Sequence, residues 1–292
     1  TLTLGAWVNT ITVSNVETVT GGASRDIVTL GSQATTSRID LAGGSDTLVL
    51  GDFDNTATVS NVETITGGAS ADVVVLGARS TDGVIDLAAG DDTLTLAAQI
   101  NTVTVSNTET ITGGSTNDTV TLGAQATGGT IDLAAGLDRL VLGSHVNTVT
   151  VSNTETVTGG ATNDSVTFGA AVTGATVDLG AGGDTLTFAA AGATVTVANV
   201  ETVAGATADD LVTLGAQTTA ATIDLDDGGD RLILGAFVNT VTVADVETVT
   251  GGASSDTVTL STQASVSVID LAGGADKLVL GNFANTASVA NV

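Results

Sequence analysis

The 292-residue sequence contains no cysteine, proline, methionine or tyrosine, and aromatic residues make up only 2% of it. Without cysteine there is neither a disulfide framework nor a thiolate metal site. Basic residues are scarce: six face 32 acidic ones, for a formal net charge of -26. Such a polyacid repels phosphate backbones, which excludes nucleic acid as a partner. No apolar run approaches the ~18 residues of a membrane span, and no signal-peptide pattern is present, so membrane insertion is not expected. Disorder is excluded as well, because Val, Ile and Leu are frequent and regularly spaced. A cysteine-free, acidic chain rich in Thr, Ala, Gly and Val suits a secreted protein, and the expected location is extracellular or on a bacterial cell surface.

What is present is a repeat. The Glu of an N-x-E-T segment recurs at Glu17, Glu63, Glu109, Glu155, Glu201 and Glu247, in steps of 46 residues. Asp40, Asp86, Asp132, Asp178, Asp224 and Asp270 keep the same step without insertion or deletion. A fixed period of this length marks units that pack on their neighbours in a quasi-one-dimensional stack. A 46-residue unit is too small to bury a core of its own.

Within each unit the pattern D-x-[VL]-x-[LF] occurs twice. It begins at Asp26, Asp46, Asp72, Asp92, Asp118, Asp138, Asp164, Asp184, Asp210, Asp230, Asp256 and Asp276, with spacings alternating between 20 and 26 residues. Those lengths fit coils of a parallel β-helix. Alternation of period 2 makes these segments strands, with Leu48 and Leu50 pointing inward and Thr47 and Val49 outward. Further strands are read at Thr102–Val105, Glu109–Thr112 and Ile131–Leu133, separated by glycine turns such as Gly113-Gly114 and Gly136. The expected fold is therefore all-β, a parallel β-helix (β-solenoid) with about two coils per 46-residue repeat. Residues 1–292 are expected to form a single continuous solenoid of about six repeats, an internal fragment of a longer array. Phe53, Phe168, Phe188, Phe237 and Phe283 are expected as wide fillers of an aliphatic interior, and Trp7 as a cover over the first coil.

With one such Asp per coil, the twelve aspartates are expected to form one column, ~4.8 Å apart. Adjacent carboxylates at that distance repel by roughly 0.9 kcal/mol in water and ~3.5 at an effective dielectric near 20. Arg25, Arg38, Arg79, Arg139, Arg231 and Lys277 are too few to offset this. A divalent cation could, and hard oxygen ligands from Asp and from glycine-loop carbonyls suit Ca²⁺. All twelve aspartates are thus candidate metal ligands, and Ca²⁺ the candidate cofactor. The alternative is that each is a turn residue bonded to its own loop amides and solvated.

The turns before these aspartates resemble the G-G-x-G-x-D-x-U-x nonapeptide of RTX (haemolysin-type calcium-binding) proteins. Longer halves read Gly21-Gly22-Ala23-Ser24-Arg25-Asp26 and Gly113-Gly114-Ser115-Thr116-Asn117-Asp118; shorter halves read Leu41-Ala42-Gly43-Gly44-Ser45-Asp46 and Leu179-Gly180-Ala181-Gly182-Gly183-Asp184. Ser24 and Thr116 stand where the family's third glycine belongs, whereas Gly44, Gly90, Gly136, Gly182, Gly228 and Gly274 keep it. The resemblance implies a large secreted bacterial surface protein whose repeats fold when calcium arrives outside the cell.

The Asp40 and Glu17 series are expected to be solvated faces, and Asn15, Asn61, Asn107, Asn153, Asn199 and Asp245 to close Asx-type turns. Outward Thr pairs such as Thr93/Thr95 and Thr119/Thr121 form a flat T-x-T face that resembles ice-binding surfaces of β-helical antifreeze proteins. Catalysis needs acid, base or cation groups converging on one spot. A repeat this regular, with His145 its only histidine, offers none, so no enzyme activity is expected. The functional expectation is a structural extracellular repeat segment of an S-layer, matrix filament or adhesin stalk with calcium-stabilised coils. The alternative is a binding module, an adhesin or ice-binding array. Self-association into a filament or layer is the expected partnership, and cell-surface polysaccharide is a candidate ligand.

Overall fold

A computed structural model describes residues 1–189 and 191–292. Ala190, inside the divergent stretch Ala189–Ala193 of the fifth repeat, lies outside the described residues. The chain divides into two compact units, Thr1–Gly143 and Ser144–Val292. Each unit is all-β among the described residues, with eight strands in each of two parallel sheets, and successive strands alternate between the sheets. This is the parallel β-solenoid that the repeat predicts.

The local cause is visible in the strand Thr102–Ser106. Val103 and Val105 are 2% and 1% exposed, while Thr102 and Thr104 stay half-buried on the outside. β-branched residues suit this pleated, one-face-buried geometry. Parallel register stacks like on like: Val103 lies over Val120, and Val120 over Leu140. The interior is a set of such aliphatic columns, in which Leu48 and Leu50 are fully buried.

The count of coils per repeat differs from expectation. Each 46-residue repeat contributes five strands, and a coil uses two, so a repeat makes two and a half coils rather than two. Strand partners are offset by 17 or 20 residues. The 20-residue spacing from Asp26 to Asp46 is one coil, but the 26-residue spacing from Asp46 to Asp72 is one and a half. Equivalent segments of consecutive repeats therefore lie on opposite sheets. In the first unit Asn9–Val13 and Thr102–Ser106 share one sheet and Thr56–Ser60 lies in the other. In the second unit Thr148–Ser152 and Thr240–Ala244 share one sheet and Ala193–Ala198 lies in the other.

The aromatic residues divide into two groups. Phe168 and Phe188 are interior and stacked, with ring centroids 6.5 Å apart. Phe53, Phe237 and Phe283 are 38–49% exposed, and Trp7 is 83% exposed. These four are not core fillers or covers. They stand in the loop that turns into the T-x-T-V strand, and each is followed two residues later by an asparagine.

Candidate functional site

Every strand start in the solenoid is a corner, and the corners hold the polar residues of the repeat. Because a repeat makes two and a half coils, the twelve aspartates do not form one column. In the first unit Asp26, Asp46, Asp118 and Asp138 head strands of one sheet, and Asp72 and Asp92 head strands of the other. In the second unit Asp164, Asp184, Asp256 and Asp276 share one corner, and Asp210 and Asp230 the other. Eleven of the twelve are at most 3% exposed; Asp276 is half-buried. The expectation of solvated turn residues is therefore corrected to buried ones.

Hydrogen bonds explain how such burial is tolerated. Each carboxylate accepts the backbone N–H at the head of the preceding coil. Asp72 N–H donates to Asp92 Oδ1 at 2.7 Å, and Asp92 N–H donates to Glu109 Oε2 at 2.8 Å. The pattern repeats from Asp26 to Asp46 and Glu63, from Asp164 to Asp184 and Glu201, and from Asp210 to Asp230 and Glu247. The Glu17 series, expected as a solvated face, thus supplies the last rung. Asp26 and Asp118 also accept from loop amides of their own turn, Gly22 N–H at 3.1 Å and Gly114 N–H at 3.0 Å.

The other end of each run is an asparagine. Asn101 is fully buried. Its Nδ2 donates to Asp118 Oδ1 at 2.8 Å and to the Ala97 and Gln99 carbonyls, and its Oδ1 accepts Ser80 N–H at 3.1 Å. Asn55 and Asn239 make the same set of bonds. The run N-D-D-E, closed by an amide, then gives way to a coil headed by a neutral residue such as Ser80 or Thr218. No long row of like charges forms at either corner.

Sequence reasoning missed this asparagine series. The signal was available: Asn9, Asn55, Asn101, Asn147, Asn239 and Asn285 recur at one phase before the T-x-T-V strand, with Ala193 as the exception. Only burial, which sequence does not print, separates it from an ordinary turn asparagine.

A second set of clips lies at the S-N-x-E corner. Asn15, Asn61, Asn107, Asn153, Asn199 and Asp245 all have positive φ, between 46° and 56°, a left-handed backbone that Asn and Asp tolerate. Asn61, Asn107, Asn199 and Asn291 each donate Nδ2 to an aspartate of the preceding coil, Asp40, Asp86, Asp178 and Asp270, at 2.7–2.8 Å. Those aspartates also accept the N–H two residues on, as Asp86 does from Ala88 at 3.1 Å. The Asp40 series is a set of hydrogen-bonded corner residues and not a bare solvated face.

The electrostatic cost of the ladder is carried by the second oxygen. Oδ2 of Asp46, Asp92, Asp184 and Asp230 is buried with no hydrogen-bond partner, whereas the loop N–H groups of Gly68 and Ala206 act on Asp72 and Asp210. Burial pushes Asp92 and Asp230 up to about 6 from an ordinary 3.8, with neighbouring Asp72 and Glu109, or Asp210 and Glu247, adding repulsion. Burial likewise raises Asp46, Asp72, Asp184 and Asp210.

This arrangement bears on calcium. A Ca²⁺ cage gathers six to eight oxygens. Here the Oδ1 atoms face N–H donors, the reverse of a cation's needs, and no group of three or more His, Asp or Glu able to hold a metal occurs among the described residues. The Oδ1 atoms are thus taken by amide donors, while Oδ2 atoms such as that of Asp92 stay unbonded. The glycines have a separate explanation. A Cβ on Gly136 would lie 2.8 Å from Asp138 Oδ1 and 2.8 Å from the Thr116 carbonyl carbon, and one on Gly113 would strike the Leu133 carbonyl. They are close-approach positions between stacked coils.

Among the surface clefts, one of about 220 Å³ has Glu63 and Arg79 in its lining. Another of about 160 Å³, lined by Asn107, Thr108, Glu109 and Gln125 among others, has Glu109 as its only ionisable side chain, and that carboxylate is already bonded to Asp92 N–H. The His145 backbone carbonyl accepts a hydrogen bond from Asn147 Nδ2. Among the described residues no helix is long and apolar enough to cross a membrane. No protein-family profile matches the chain, and no curated protein sequence matches it.

Proposed function

We propose that the chain is a structural repeat segment of an extracellular or bacterial cell-surface protein, such as a surface layer, matrix filament or adhesin stalk. One observation carries this reading. The recurrent polar side chains of the repeat, Asn, Asp, Asp and Glu, each bond from coil to coil. Groups that an enzyme would display toward a substrate are here turned into internal fastenings. Two parallel sheets with aliphatic columns between them supply the rest of the stiffness. A kinship with RTX-type secreted proteins remains a proposal supported by the glycine–aspartate turns alone.

The test is mechanical and ionic. Single-molecule stretching should show stepwise release of short units with repeated, similar force. Addition of a calcium chelator should leave circular dichroism and the thermal midpoint unchanged, because amides already bond one oxygen of each carboxylate. A collapse of the fold on chelation would overturn the amide-bonded scaffold and restore a calcium-dependent one.

A second reading has one observation in its favour. Outward threonines stack in register, Thr93 on Thr110 on Thr130, on a parallel sheet. Such a face could serve an ice-binding or adhesin array. Arg38 and Arg139 interrupt the threonine rows, and absence of thermal hysteresis at millimolar protein would remove the ice-binding form.

A further inference from the structure

Four corner clips join an asparagine amide to an aspartate of the preceding coil: Asn61 to Asp40, Asn107 to Asp86, Asn199 to Asp178 and Asn291 to Asp270. At the matching place of the sixth repeat the chain carries Asp245, close enough to Asp224 to feel its charge. The backbone is unchanged there. Asp245 has φ 46°, within a few degrees of the asparagines, and Asp224 pairs in register with Ala244, the residue just before it, as Asp40 pairs with Ser60, just before Asn61. A donor has been replaced by an acceptor in a joint of the same backbone register.

We propose that Asp224 and Asp245 form an acid-closed clasp between two coils of the second unit. With one proton on Asp245, its carboxyl O–H donates to Asp224 and reproduces the asparagine clip. Without that proton the two carboxylates repel, the joint lacks its hydrogen bond, and the corner opens locally. The surroundings favour the proton. Asp226, two residues past Asp224, and Glu247, two residues past Asp245, both add negative charge. From the adjoining coil the neutral Thr262 hydroxyl accepts the Asp245 backbone N–H at 3.1 Å and also bonds the Asp245 carboxyl, which by itself favours the charged form. No Lys, Arg or His is among the groups acting on it. Although Asp245 is exposed, the desolvation that remains at this corner and the Asp224 charge hold its carboxyl above its ordinary 3.8, in the direction the clasp requires. The joint is a built-in comparison: the same fold contains amide clips that have no proton to lose.

Hydrogen–deuterium exchange of the intact chain tests this. Peptides covering 221–226 and 241–246 should exchange about fivefold to tenfold faster at pH 7.5 than at pH 4.5 after correction for intrinsic rates, the loss of one net hydrogen bond. Peptides covering the Asp178–Asn199 joint should show no such change. Asp245→Asn should abolish the pH response and slow exchange at pH 7.5 to the level of the other joints. Asn199→Asp should install the response at the Asp178 joint, which guards against a single variant that fails to fold. Equal pH responses at both joints of the unmodified chain, or a response that survives Asp245→Asn, would overturn the clasp.

Discussion

Replacing Asp92 by asparagine isolates the cost of a buried carboxylate in the corner ladder. The side chain is fully buried, its Oδ1 accepts Asp72 N–H at 2.7 Å, and its Oδ2 has no partner. Its carboxyl is pushed up to about 6 from 3.8. A folded-state value above the unfolded one means that the folded protein holds the proton more tightly. Below about pH 4 both states are protonated and the group costs nothing; as pH rises from 4 through 6 the folded state loses stability, and above that the loss is constant. A shift of about two units corresponds to at most ~3 kcal/mol. The neighbouring Asp91 is exposed, and solvent at that edge brings the figure nearer to half. Asp92→Asn keeps the acceptor for Asp72 N–H and removes the titration. Its amide nitrogen would stand where Oδ2 has no partner, a pH-independent penalty of about 1–3 kcal/mol. The informative quantity is therefore the change in the difference between variant and parent across pH. Urea unfolding at pH 4, 5, 6 and 7 should show that difference moving by about 1.5–3 kcal/mol in the variant's favour. A difference that stays flat across this range, or moves toward the parent, would refute the account of the ladder.

Other consequences are more local. Asn101→Ala strands Ser80 N–H and the Ala97 and Gln99 carbonyls and removes one donor from Asp118; chemical denaturation should record a loss of about 2–4 kcal/mol. Gly136→Ala puts a methyl 2.8 Å from Asp138 Oδ1 and should lower the thermal midpoint by an amount matching about 1–3 kcal/mol, whereas Gly5→Ala, with nothing within 4 Å, should be neutral. Phe168→Ala removes a buried, stacked ring and should cost about 3–5 kcal/mol, against less than about 1 for the half-exposed Phe53→Ala, both by urea titration.

Much of the architecture could be read before any coordinates. The 46-residue period and the alternation in segments such as Thr-Val-Thr-Val state that a strand packs one face and repeats. Side-chain direction in a strand is a local property, fixed by the pleat, so Leu48 and Leu50 could be placed inside from their spacing alone. The corner asparagines at positive φ were legible for the same reason, since left-handed backbone is a property of one residue and its neighbours. The aspartates could be recognised as special but not placed. Their relation to each other depends on how many residues close a coil, and that is decided by turn geometry summed around the whole circuit.

The chain's own residues determined that it is β, that it is repetitive, that its interior is aliphatic and that its acids recur in phase. Only the tertiary structure decided that a repeat closes two and a half coils, because 17- and 20-residue circuits are set by through-space pairing and leave no mark at any single position. That half coil sends alternate repeats to opposite corners, splits the acids into short runs capped by buried asparagines, and turns the backbone amides of one coil toward the carboxylates of the next.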